Sequence, residues 1–173
     1  MGSFIATNLV LDFPNRVISC VLNAGIATTQ EEFLRTEGFS AQPFAASTEE
    51  LKQGKGVPTL ARWLGVDGSP MAAMSEAQMA NFNKMMLKGQ DEIALSYCLS
   101  AFPQLFDINA KKRSTNQIPI LGMAGDLDKW QQFVIQFTKE FSNLTFKPLP
   151  GVDHGLFGNK DADETMLSFI NQF

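Results

Sequence analysis

Residues 118–128 read Ile118-Pro119-Ile120-Leu121-Gly122-Met123-Ala124-Gly125-Asp126-Leu127-Asp128. The first seven are nearly all apolar, the pattern of a strand buried on both faces of a parallel sheet. A glycine and two carboxylates come next, which reads as the loop leaving that strand. A second stretch, Leu149-Pro150-Gly151-Val152-Asp153-His154-Gly155, closes a more alternating run and carries the chain's only histidine. Open parallel α/β sheets hold their chemistry outside the carboxyl ends of their strands. Neighbouring strands would therefore bring an acid of the first loop to His154 in the second. A carboxylate that accepts from one imidazole nitrogen fixes the tautomer and stabilises the imidazolium formed when the other nitrogen takes a proton. Asp126 and Asp128 both qualify on the residues alone, and an aspartate in such a loop is also ordinary turn chemistry.

Working outward, Val17-Ile18-Ser19-Cys20-Val21-Leu22 is another nearly continuous apolar run. The pattern predicts three parallel strands, at residues 17–23, 118–124 and 143–149. Lys147 and Pro148 mark the last as an edge strand, because proline cannot donate to a central ladder and lysine discourages further pairing. The first strand has no such protection, which leaves its free edge open to association.

About ninety residues separate the first two strands, far more than a crossover needs. The economical division is an α/β core of residues 1–27 and 116–173 with a helical insertion at 28–115. Helices are predicted at residues 4–13, with Ala6, Leu9, Val10 and Phe13 on the buried face, and at 48–53. Another is expected at 75–88, where Ser75 and Gln78 have the spacing of a capping box. A further helix starts at Asp91, carries Ile93, Ala94, Tyr97, Cys98 and Ala101, and ends near Pro103. After the second strand, Trp130, Phe133, Val134, Phe137 and Phe141 form an amphipathic stripe. A closing helix spans about residues 161–173, with Leu167, Ile170 and Phe173 on one face.

The composition, 45% hydrophobic and 18% charged, fits a globular domain, and the net charge of −4 argues against a nucleic-acid partner. Lys111-Lys112-Arg113 reads as a solvated loop. Cys20 and Cys98 lack metal-type spacing and read as two buried thiols. No apolar stretch is long enough to span a membrane. The beginning of the chain lacks a basic leader, so cytoplasmic residence is the default expectation. Met71, Met74, Met79, Met85 and Met86 read as ordinary packing in the insertion, with an adaptable acyl pocket as the alternative.

The two loop stretches resemble the C-terminal half of the α/β-hydrolase family, and the likeness runs the length of the chain. Residues 118–128 look like that family's acid-bearing strand, where the acid is the third residue after the glycine. That resemblance selects Asp128 over Asp126. Residues 149–155 look like the family's histidine loop. The stretch from Ala45 through Leu51, Gly54 and Gly56, continued by Asn83 and residues 91–95, is similar to the helical cap inserted after its sixth strand.

Met1-Gly2-Ser3-Phe4-Ile5-Ala6 resembles the residues that come immediately after the nucleophilic serine of the Gly-x-Ser-x-Gly elbow. The resemblance implies a partial α/β-hydrolase fold whose nucleophile precedes Met1. It also implies an oxyanion-hole amide at Met1, Asp128 and His154 as acid and base, and no cofactor or metal. Methionine after the nucleophile accompanies serine rather than aspartate. Ser3 lies two positions too far along and would cap the first helical turn instead. The implied reaction is hydrolysis of a carboxylic ester or related acyl substrate, a small-molecule partner. The rival expectation is a non-catalytic fragment, an interaction module or half of a split assembly with the same fold.

Overall fold

The computed structural model describes residues 2–24, 27–37, 39–65, 72–102, 108, 110–154 and 159–173. The chain divides into two compact units, Met1–Thr29 with Leu105–Phe173, and Gln30–Gln104.

The first unit holds a three-stranded parallel sheet in the order β1 (Cys20–Asn23), β2 (Ile120–Gly125), β3 (Leu144–Leu149). The three predicted strands are therefore present, each beginning one to three residues later than expected. All six residues of β2 are buried, as its unbroken apolar run requires of a strand flanked on both edges and both faces. Alternation then assigns the layers. Leu121 and Met123 pack with Leu149 of β3 and Ala162, Met166 and Phe169 of the last helix, α9 (Lys160–Ile170). Gly122 points the other way, where a Cβ would come within 2.6 Å of Val134 on α8 (Gln131–Glu140). Helices thus cover opposite faces of the sheet. Phe133, Val134 and Phe137 of α8 and the following Phe141 are buried, each contributing about 1.5–3 kcal/mol of transfer free energy.

The first helix, α1 (Gly2–Asp12), packs on β1, but of the expected face only Val10 is buried. Phe4, Thr7, Val10 and Leu11 are buried, whereas Leu9 and Phe13 are 46% and 55% exposed. Two apolar stripes run along this helix, and the Phe4 stripe is the one that meets the core. The closing helix differs in the same way. Leu167, Ile170 and Phe173 are exposed, and the packing face runs through Ala162, Met166 and Phe169.

Lys111-Lys112-Arg113 is not a solvated loop but part of α7 (Ala110–Thr115). Arg113 is buried, pairs with Glu140 of α8 at 2.6 Å, and donates to the Ile108 carbonyl. Lys112 pairs with Asp12.

The second unit is helical over its described residues, with α2 (Gln30–Arg35), α3 (Gln42–Lys52), α4 (Pro58–Leu64), α5 (Glu76–Met86) and α6 (Glu92–Ser100). Helix α3 begins six residues before the expected start, at a proline-bearing first turn where the missing N–H costs nothing. The capping box at Ser75 and Gln78 forms, and Asp91 caps α6. Phe44 stacks on Phe102 at 4.6 Å and meets Phe33 and Trp63 edge-on, and Phe39 meets those two rings edge-on in turn. Glu50 of α3 accepts from the Thr59 amide, and Asn83 of α5 from the Val57 amide, so side chains satisfy the start of α4. Met79 is buried here, whereas Met85 and Met86 are exposed, and Met71 lies outside the described residues. On α6, Ile93, Tyr97 and Cys98 face solvent, so only Cys20 of the two expected buried thiols is even partly covered.

Candidate active site

The β2–β3 register pairs Gly125 with Leu149, so the loops after both strands leave the sheet at the same end. Beside the contact of Asp128 with His154, three bonds join the loops. The Asp126 amide donates to the Leu149 carbonyl at 3.0 Å, and the Leu127 amide to the Val152 carbonyl at 3.0 Å. The Gly151 amide donates to Asp126 Oδ1 at 2.8 Å. Gly125 is required by this closeness. A Cβ there would overlap the Val152 carbonyl and lie 2.8 Å from the Asp153 carbonyl oxygen.

The turn after Gly125 carries Asp128 inward. Its amide donates to the Gly125 carbonyl at 3.2 Å, and its own carbonyl receives the Gln131 amide at the start of α8. The carboxylate is fully buried and shared between two donors. The Trp130 amide donates to Oδ1 at 2.9 Å, and His154 Nδ1 lies 3.0 Å from Oδ2. With a carboxylate as partner, Nδ1 donates, which leaves Nε2 as the nitrogen able to accept a proton. The imidazole is 32% exposed, against 0% for the Asp128 side chain. The buried Trp130 ring flanks it, with centroids 6.1 Å apart. Next to the acid, burial pushes the Lys129 ammonium down to about 8, against the opposing pull of the Asp128 charge.

The structure thus brings together Asp128 and His154, and turns Asp126 away onto Gly151. Met1, the expected oxyanion-hole amide, lies outside the described residues. Ser3 does not cap its helix. Its hydroxyl donates to the Asn23 carbonyl at 2.7 Å, fastening α1 to the end of β1. Ala24, just beyond, is buried at φ +61°, the left-handed region that costs a residue with a side chain about 1–3 kcal/mol. No residue type signals that strain in the sequence, since it falls on an alanine. Among the described residues, no cluster of three His, Cys, Asp or Glu side chains could hold a metal ion. Nor is any described helix long and apolar enough to cross a membrane.

No family model matches the chain, and no curated protein sequence does. Solved structures do. A carboxylesterase structure from the ammonia-oxidizing thaumarchaeon Nitrososphaera gargenis is similar at a TM-score of 0.70 and 16% identity, over 98% of this chain and 61% of that one. MenH from S. aureus is similar at 0.68 and 14% identity, over 98% and 65% of the two chains. MGS-M2, an α/β-hydrolase enzyme from a Medee basin deep-sea metagenome library, is similar at 0.63 and 14% identity, over 99% and 62%. The chain therefore spans less than two thirds of the structures it resembles, and its three-stranded parallel sheet with flanking helices is part of the α/β-hydrolase fold.

Proposed function

We propose that this chain carries the acid and the base of a serine hydrolase acting on carboxylic esters or related acyl substrates. The observation that carries the reading is the bond between His154 Nδ1 and Asp128 Oδ2, with the acid fully buried and the base partly open. In this reaction a serine oxygen attacks the acyl carbonyl while His154 Nε2 takes its proton. The imidazolium, held by Asp128, returns that proton to the leaving alkoxide. A water, activated by the same nitrogen, then releases the acid and restores the serine. The serine is assigned to the part of the fold that this chain does not span, and the amide of Met1 to the oxyanion hole. The same reading makes the helical residues within 28–115 a cap insertion.

The experiment is hydrolysis of a short-chain aryl ester by the protein containing this sequence in its natural reading frame. Replacing His154 with alanine should lower turnover by on the order of 10⁴- to 10⁶-fold. Undiminished turnover in that variant would remove His154 from the reaction.

A second reading, a non-catalytic module or split half, draws support from the apolar surface of the first unit. Ile5 and Leu9 of α1, Phe13 just after it and Ile18 before β1 are 46–73% exposed, and β1 has neither a lysine nor a proline in its sequence. Under that reading the full-frame protein would hydrolyse no ester, with or without His154.

A further inference from the structure

The carboxylate of Asp126 is aimed away from the imidazole, at the loop that delivers it. Of the three bonds that join the loops beside the Asp128–His154 contact, two run from backbone to backbone and are open to almost any residue. The third needs a side chain of one particular length. Gly151 sits at φ +71°, in the left-handed region, two residues past the end of β3. The Gly151 amide finds its acceptor in Asp126 Oδ1 at 2.8 Å. Gly151 stands three residues before His154, and Asp126 two residues before Asp128, so this bond joins the two loops just short of the reacting pair.

We propose that Asp126 is a positioning residue. Its carboxylate fixes the Gly151 turn against the β2 loop and so holds the His154 ring on Asp128. The inference rests on reading Asp128 and His154 as acid and base. Asp126 is itself solvent-exposed, so its removal opens no cavity in the core. What changes is the registration of one loop on the other, and displacements of about 1 Å in such pairs cost on the order of a hundredfold in rate.

His154 is the only histidine, so imidazole ¹⁵N and ¹H spectra of the whole 173-residue chain report on this one ring. The comparison is wild type, Asp126→Ala, Asp126→Asn, Asp126→Glu and Asp128→Asn. Asp126→Ala and Asp126→Asn remove the same charge beside Asp128, Lys129 and Asp153, so the difference between them isolates the bond. Asn retains an acceptor at the Oδ1 position, whereas Glu keeps the charge and moves the acceptor outward. The expected result is an Nδ1–H tautomer in wild type and in Asp126→Asn, whose midpoints differ by no more than the loss of one exposed charge. Asp126→Ala and Asp126→Glu should show mixed tautomers and a midpoint displaced by at least half the displacement in Asp128→Asn.

An Asp126→Ala spectrum that overlays wild type, while Asp128→Asn moves, would overturn the role of Asp126 alone. So would Asp126→Asn moving as far as Asp126→Ala. If Asp128→Asn leaves His154 unmoved, the acid–base pairing itself is wrong and the role of Asp126 falls with it.

Discussion

His154 Nδ1 and Asp128 Oδ2 stand 3.0 Å apart across the ends of adjacent parallel strands, and the second oxygen of Asp128 is occupied by the Trp130 amide. The acid is therefore held at both oxygens. It is fixed by the chain's own backbone before it fixes the histidine. Replacing Asp128 with asparagine can present an amide N–H to Nδ1, which favours the tautomer whose proton lies on Nε2. In the proposed hydrolysis a base protonated there cannot accept from the nucleophile, so ester turnover by the intact protein should fall about 10⁴-fold with little change in KM. Asp128→Ala should in addition cost about 1–3 kcal/mol in urea unfolding, because the buried Trp130 amide loses its acceptor. Full turnover in Asp128→Asn would exclude the carboxylate from the mechanism.

Gly125 and Gly122 lie three residues apart on β2, yet substitution by alanine should affect them unequally. At Gly125 the added Cβ would meet backbone, the Val152 carbonyl, within a pair of loops already fastened by three bonds. At Gly122 it would meet the Val134 side chain at 2.6 Å, which can shift by a change of rotamer or a small movement of α8. Gly122→Ala should cost about 1–3 kcal/mol, and Gly125→Ala more than about 3 kcal/mol. Denaturant midpoints of the two variants check the order, and the reverse order would contradict the loop packing.

The strands and the loops that follow β2 and β3 were legible because their signals are local. The unbroken run of β2, the Lys147-Pro148 mark on β3, the capping box at Ser75 and the cap at Asp91 all formed as read. What misled were the faces of α1, α6 and α9, whereas the α8 stripe is buried as read. Leu9, Tyr97 and Leu167 belong to apolar stripes that point to solvent, while Thr7 and Ser96 are fully buried. Periodicity shows that a stripe exists; which of two stripes meets the core depends on partners distant in sequence. Arg113 looked solvated for the same reason, since its partner Glu140 lies 27 residues on, beyond a whole strand. Asp126 and Asp128 could be told apart in sequence only by resemblance, and the structure separates them by what each carboxylate binds.

The two thiols should differ sharply in reactivity. Cys98 is exposed on α6, whereas burial pushes the Cys20 thiol up to about 11. A thiol with that pKa is ionised to about one part in a thousand at pH 8, and the thiolate is the reacting form. An aromatic disulfide reagent at pH 8 should therefore release one equivalent quickly. The second should emerge at least about a hundredfold more slowly unless denaturant is added. Cys98→Ser should abolish the fast phase, and two equal rates would contradict the placement of Cys20.

Lys129 supplies a pH dependence whose sign is set by the direction of its shift. Burial lowers its pKa from 10.5 to about 8 in the folded chain, and the Asp128 charge only partly offsets this. Below about 8 both folded and unfolded chains carry the proton, and the cost of covering the charge is felt in full. Between about 8 and 10.5 the unfolded chain binds more protons, so this residue's contribution to stability rises with pH. Lys129 is still partly open to solvent, so screening should hold the gain below about 1 kcal/mol. Urea unfolding of wild type and Lys129→Met at pH 7 and pH 9.5 isolates the effect, because every other titration is common to both proteins. Wild type should gain on the variant as the pH rises, and the variant should be the more stable of the two at pH 7. Curves that move in parallel would show that Lys129 is not desolvated beside the acid.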